Sequence, residues 1–172
     1  MGRAGLALVA AFALGACRGA AADGRSLTLA VPAQWTPLPA VAHAAQAAAG
    51  TAARAQAWGD PAAGCYLIAV AVDGKVDDDP KDAAAALAEG VGVSLTGDPA
   101  NGVAAIDGPI HAHGLTGRVR GFVTPRPSGA LVSTAVACLG NDRDPSGCAK
   151  ACDGVWAALT AAPEVVAAGG TR

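Results

Sequence analysis

The chain has 172 residues, enough for one domain of ordinary size, with a formal net charge of −2 and only 15% charged residues. Its basic residues are few and scattered, which argues against a nucleic-acid-binding protein and against a polybasic membrane patch. Hydrophobic residues make up 52% of the sequence but aromatic residues only 3%. The core must therefore be built from Val, Leu, Ile and Ala, with Trp35, Trp58 and Trp156 as the expected large anchors.

The first 17 residues, MGRAGLALVAAFALGAC, place one cation, Arg3, before a hydrophobic run from Leu6 to Leu14. This run is too short to span a bilayer, which takes about 20 apolar residues, and it has the length of a signal-peptide core. Leu-Gly-Ala-Cys at residues 14–17 resembles the lipobox of bacterial lipoprotein precursors.

By this resemblance, residues 1–16 are a signal peptide, and Cys17 carries a diacylglycerol thioether and an acylated (palmitoylated) amino group. Two or more acyl chains hold a protein stably on a membrane, since each buried methylene contributes about 0.8 kcal/mol. Arg18, where an aspartate would favour the inner membrane, indicates the outer membrane, facing the periplasm. The alternative is an ordinary signal peptide cleaved within residues 20–22, which would release a soluble exported protein.

The remaining chain is interpreted as a short polar tether at residues 17–25, one domain at residues 26–164, and a loose tail at residues 165–172. Within the domain, alternating β-prone residues predict a strand at 26–31, ended by Pro32 and followed by an irregular proline-rich segment.

Three elements follow in the first half of the domain. The alanine-rich residues 40–49, closed by Gly50, predict a short helix. Residues 52–58 alternate Arg and Gln with Ala, as a half-buried strand does, and residues 65–72 form a continuous apolar run typical of a central strand. The turn residues between these two strands predict a hairpin.

A second helix is predicted over residues 80–89, with Asp79 as N-cap, Pro80 at the first helical position and Gly90 as its stop. The sequence GVAAIDG at residues 102–108 predicts a short strand.

The second half ends in two strands and a helix. Residues 115–124 alternate between two faces, and residues 130–139 predict a second central strand. A helix over residues 147–161 would present one apolar stripe, made of Cys148, Cys152, Val155, Trp156 and Leu159.

This order of elements predicts an α+β fold: an antiparallel sheet of five to six strands with helices packed on it. Together with the stretch LTLAVPAQW, the element order resembles the PsbP-like fold. Proteins with that fold bind partners without catalysing a reaction, so the resemblance implies no active site and no cofactor.

Four cysteines follow Cys17, and an even number in an exported domain favours disulfides. Two cysteines one helical turn apart lie about 6 Å apart with near-parallel side chains, which is poor disulfide geometry. We therefore expect both helix cysteines to reach the sheet, Cys138 taking either Cys148 or Cys152 and Cys65 taking the other. The alternative is a zinc site built from Cys138, Cys148 and Cys152.

Two further groups could carry chemistry. His111 and His113 would point the same way on a strand and could share a metal, although two polar loop residues explain the pattern as well. Arg118 and Arg120 share a strand face and could clamp an anion, although a solvated strand face is the simpler interpretation.

The sequence contains no nucleophile elbow, phosphate-binding loop or metalloprotease motif. It therefore predicts a non-catalytic envelope lipoprotein, anchored to the membrane through Cys17, that binds or scaffolds an envelope protein. A metal-binding protein or metal-dependent enzyme using His111 and His113 is the alternative.

Overall fold

The computed structural model describes residues 29–97, 104–126, 128–141 and 146–161. The helices and strands within these residues are, in chain order, β1 (Thr36–Pro37), α1 (Pro39–Ala49), β2 (Ala53–Asp60), β3 (Cys65–Val76), α2 (Pro80–Val91), β4 (Ile106–Ala112), β5 (Leu115–Pro125), β6 (Ala130–Asn141) and α3 (Ser146–Ala161).

The strands form one antiparallel six-stranded sheet in the order β1-β2-β3-β6-β5-β4. Hairpins join β2 to β3, β4 to β5, and β5 to β6, so each of these pairs is also adjacent in the sequence. The pairing of β3 with β6 joins the first hairpin to the last three strands and places the two most apolar strands at the centre. The predicted α+β class with an antiparallel sheet is therefore confirmed.

One side of the sheet, which we call the α3 face, carries helix α3. Residues directly opposite each other on antiparallel strands point to the same side of a sheet. Leu67 lies opposite Cys138 on β6, and Cys138 lies opposite Arg118 on β5, so these three side chains share the α3 face. The helical stripe predicted from the sequence is buried against this face together with Trp35 and Val136.

The other side, which we call the α1/α2 face, is built from smaller side chains. Helix α2 buries Ala84 and Ala88, and Ala88 packs with Ile106 and Val119 of the sheet. A Cβ atom at Gly121 would lie only 2.5 Å from Ile106 Cγ1 and 2.7 Å from Leu87 Cδ2. Glycine at position 121 therefore lets α2 and Ile106 approach the sheet closely.

Helix α2 begins as predicted but ends later. The Asp79 carboxylate accepts a hydrogen bond of 2.7 Å from the backbone N–H of Lys81, and Pro80 occupies the first helical position. The predicted stop at Gly90 is wrong, because this residue continues the helix. The helix ends at Gly92, which adopts the left-handed conformation (φ 77°) and donates its N–H to Ala88 O.

Two strand predictions differ from the structure. Residues 29–31 form no strand, and the strand that pairs with the edge of β2 is the two-residue β1; residues 26–28 lie outside the described part of the chain. The strand predicted at 102–108 begins instead at Ile106 and runs to Ala112, since its position is set by pairing with β5. The hairpin turn is His113–Gly114, both with positive φ (52° and 73°), as in two-residue type I′ turns.

Candidate functional site

Two disulfides attach α3 to the two central strands. Cys148 pairs with Cys65 at the start of β3, and Cys152 pairs with Cys138 on β6, with Cα–Cα distances of 5.6 and 5.7 Å. All four cysteines are buried. The prediction that both helix cysteines reach the sheet is confirmed, and the structure adds which cysteine meets which strand.

Each of the three cysteines that could have formed a zinc site is part of one of these two disulfides. A disulfide sulfur is no longer a thiolate and cannot serve as a zinc ligand in the way that a free cysteine does. The zinc alternative built from Cys138, Cys148 and Cys152 is therefore wrong.

Beside α3, the α3 face carries a network of two arginines and one carboxylate. Arg118 Nε donates to Asp107 Oδ1, and Arg120 Nε donates to Asp107 Oδ2 at 2.8 Å. The anion held by the two arginines is thus Asp107 of the neighbouring strand, directly opposite Arg120. We call these three residues the Asp107 triad; with two cations and one anion it carries one excess positive charge.

The Asp107 triad is supported from the helix side. The Arg120 guanidinium carbon lies 5.6 Å from the centre of the Trp156 ring, and Arg120 Nη1 lies 3.4 Å from Trp156 O. A guanidinium placed over an indole ring gains a cation–π attraction. Only 16% of the Arg120 side chain and 20% of the Asp107 side chain are exposed, whereas 49% of Arg118 is.

His111 and Thr116 lie on the same face of the β4–β5 hairpin as the Asp107 triad, nearer to the turn. The two residues lie directly opposite each other, and Thr116 Oγ1 is 2.8 Å from His111 Nδ1. His113 lies outside the strand, in the turn, so the premise that both histidines share a strand face is wrong. In the described part of the chain, no group of three or more His, Cys, Asp or Glu side chains could hold a metal ion.

A second triad lies on the α3 face where Arg54 of β2, Asp73 of β3 and Arg126, just after β5, meet. Asp73 Oδ1 accepts hydrogen bonds from Arg54 Nη2 at 2.9 Å and from Arg126 Nη2 at 2.6 Å. We call these residues the Asp73 triad. The Asp73 side chain is 37% exposed, so this triad is more solvated than the Asp107 triad.

A shallow depression of about 540 Å³ lies between the end of α2 and β4, lined by residues that include Glu89, Ser94, Thr96 and Asp107. The Asp107 carboxylate is already bound by two arginines. This leaves Glu89 as the one unpaired ionisable group among the residues described around the depression, which is too little to define a chemical site.

The sequence pointed to the arginines but missed their partner. The alternation in residues 115–124 placed Arg118 and Arg120 on one face. The strand predicted at 102–108 puts Asp107 near its end, and this does not predict that Asp107 lies opposite Arg120. The signal that could have found it is the alternation of Asp107, Pro109 and His111, which puts all three on one face of a strand.

Cys17 and the proposed signal peptide lie outside the described residues, as does the tail at 165–172. None of the helices described is long and apolar enough to cross a membrane. Comparison of the chain with protein-family models, with curated proteins and with solved structures found no match. The resemblance to the PsbP-like fold stays a prediction.

Proposed function

We propose that this chain is a lipid-anchored lipoprotein of the bacterial envelope, whose α+β domain binds a partner on the periplasmic side without catalysing a reaction. The observation that carries the proposal is the number of cysteines and the way in which they pair. The chain contains five cysteines, and four of them pair with each other inside the domain. Cys17 is the cysteine left without a partner in the chain, at the end of a hydrophobic run where a lipobox ends.

The disulfides also support an exported protein. Disulfides form and persist in oxidising compartments such as the periplasm, and they are rare in the reducing cytosol. A signal segment ahead of a disulfide-linked domain is therefore a consistent combination.

The distance between the proposed anchor and the domain supports a role near the membrane surface. Leu29 packs against the core on the α3 face. A fully extended chain covers at most about 3.5 Å per residue, so the twelve residues from Cys17 to Leu29 reach roughly 40 Å. The start of the domain at Leu29 would therefore be held within that distance of the bilayer.

Metabolic labelling with an alkyne fatty acid tests the anchor. We expect label on the wild-type protein and none on Cys17→Ala, because the thioether needs the Cys17 sulfur. The double variant Cys138→Ser/Cys152→Ser is the matched control, since it removes cysteines elsewhere, opens the shorter disulfide loop and should keep the label.

Intact mass of the mature protein completes the test. The lipoprotein should begin at Cys17 and carry the mass of its acyl chains. An unlabelled wild-type protein that begins between residues 21 and 23 would instead assign ordinary signal cleavage and remove the anchor from the proposal.

A further inference from the structure

Helix α1 is the least buried of the three helices described. None of its 11 residues is buried, whereas α2 buries Ala84 and Ala88. Helix α3 buries its apolar stripe and is linked to the sheet by two disulfides. The inner side of α1 is formed by Val41, Ala42 and Ala45, which are only half-buried. Packing therefore stabilises α1 less than it stabilises α2 or α3.

Helix α1 also lacks stabilising groups at its ends. Its N-cap residue is Leu38, whose side chain cannot accept a hydrogen bond, whereas the Asp79 carboxylate caps α2. There is no acidic residue in the first turn of α1 and no basic residue in its last turn, so no charged side chain complements the helix dipole. A helix of this length is marginal in water even when it is rich in alanine. When α1 leaves the sheet, we therefore expect it to unfold as well.

The chain is attached to the sheet immediately before and after α1. Leu38 donates its N–H to Ala57 O at 2.8 Å, and Ala53 donates its N–H to Gly50 O at 3.1 Å. Gly50 has φ 99° and ψ 178°, a conformation that glycine adopts and other residues avoid. Nothing lies within 4 Å of a Cβ atom at Gly50, so its backbone can rotate without meeting a neighbour. Gly50 can therefore serve as a hinge.

The sheet surface on which α1 packs is apolar. It is formed by three cross-strand pairs of β2 and β3, which we call the α1 floor: Ala53–Val72, Ala55–Val70 and Ala57–Ile68. Ala53 and Ala57 are only 2% and 5% exposed, whereas Arg54 and Gln56, on the other face of the same strand, are exposed. Because β2 lies near the edge of the sheet, the burial of its two alanines depends on α1.

We propose that α1 is a hinged cover, which opens over the α1 floor while the rest of the domain stays folded. In the open state the helix is unfolded between its two attachment points, and the apolar floor is accessible to solvent. The disulfides and the large buried side chains lie on the α3 face, on the other side of the sheet. Opening of α1 therefore leaves them in place, and its free energy lies well below that of global unfolding. The proposal does not depend on the lipid anchor.

A single buried thiol tests the opening. With Cys17→Ser, the mature chain from residue 17 onward has no free thiol, because its other four cysteines are paired. Ala53→Cys places a thiol under α1, whereas Ala84→Cys, at a position that is 1% exposed, places one between α2 and the sheet. Without denaturant, we expect the first thiol to react with Ellman's reagent about tenfold faster than the second. Equal rates would overturn the proposal.

Amide hydrogen exchange tests the same opening without a new side chain in the core. In the Cys17→Ser chain, the amides of residues 42–49 should exchange about 100-fold faster than those of β3 and β6. Their rates should stay nearly constant at low urea concentrations, because opening of one short helix exposes little surface. If the α1 amides exchange as slowly as those of β3, or with the urea dependence of global unfolding, the helix does not open by itself and the proposal is wrong.

A more stable helix should keep the cover closed. Ala40 and Ala44 are exposed and lie one turn apart, so Ala40→Glu/Ala44→Lys adds an ion pair and a negative charge at the helix start. Combined with Ala53→Cys, this change should slow thiol labelling about threefold. The matched control is Ala40→Lys/Ala44→Glu, which has the same composition with the charges reversed and should not slow it. Identical rates in the two variants would show that access to the thiol does not depend on the stability of α1, against the proposal.

Discussion

The two faces of the sheet are stabilised in different ways. The α3 face holds both disulfides, the buried tryptophans Trp35 and Trp156, and the four ion pairs found among the described residues. The α1/α2 face packs Ala88 of α2 against Ile106 and Val119, and Ala84 of α2 against Val123 and Leu131. The first face relies on covalent links and large or charged side chains, and the second on close approach of small ones.

This difference follows from the composition. A sequence with 52% hydrophobic but only 3% aromatic residues has few large side chains, and most of them are used on one face. On the other face, small residues let the helix and the sheet come close together. Because the two elements lie closer, small side chains can still pack densely. The α3 face should therefore be sensitive to loss of cross-links, and the α1/α2 face to added volume.

The largest expected effect is the loss of a disulfide. Cys65–Cys148 closes a sequence separation of 83 residues and Cys138–Cys152 one of 14. The chain-entropy relation gives about 4.5 kcal/mol for the longer loop and about 3 kcal/mol for the shorter one. Urea unfolding followed by tryptophan fluorescence should show Cys65→Ser/Cys148→Ser as less stable than Cys138→Ser/Cys152→Ser. The reverse order would mean that local strain, and not loop closure, decides the stability of this face.

The next effect tests the close packing of the α1/α2 face. Gly121→Ala places a methyl group against Ile106 and Leu87 and should destabilise the protein by about 2 kcal/mol. Gly90→Ala is the matched control, because nothing lies within 4 Å of a Cβ there. In the helix, this control should raise the free energy of unfolding by about 0.5–1 kcal/mol. A neutral Gly121→Ala variant would show that α2 can move away from the sheet at little cost.

The smallest effect separates the two triads within the α3 face. Asp107→Asn should lower the free energy of unfolding by about 1.5 kcal/mol, because Arg120 is left largely buried without its carboxylate. Asp73→Asn, in the more solvated triad, should cost about 0.5 kcal/mol. Chemical denaturation in low and high salt measures both variants. An equal decrease in the free energy of unfolding for both variants would show that the deeper burial of the Asp107 triad does not strengthen its ion pairs.

Much of this arrangement could be predicted from local sequence. The alternation of Arg54 and Gln56 with alanines located β2, and the continuous apolar run located β3. Asp79 and Pro80 marked the start of α2, and the spacing of Cys148, Cys152 and Trp156 identified the buried side of α3. These features repeat with the period of a single strand or helix, so neighbouring residues suffice to reveal them.

The bounds of β4 and the role of Asp107 could not be predicted in the same way. Residues 102–108 contain β-prone residues, but the observed strand begins at Ile106 because it pairs with β5 from the turn at His113–Gly114. The end of α2 was misplaced for a related reason: either Gly90 or Gly92 could stop a helix, and only the backbone conformation distinguishes them.

Local sequence patterns were sufficient to locate most strands and helices, and to predict that the two cysteines of α3 reach the sheet. No local pattern indicates that β3 lies beside β6, which brings Cys65 to Cys148 and Cys138 to Cys152; this follows from the packing of distant segments. The register of the β4–β5 hairpin sets Asp107 opposite Arg120 and within hydrogen-bond distance of Arg118. Backbone hydrogen bonds between strands are the same for every possible neighbour, so the choice of partner depends on which faces become buried together.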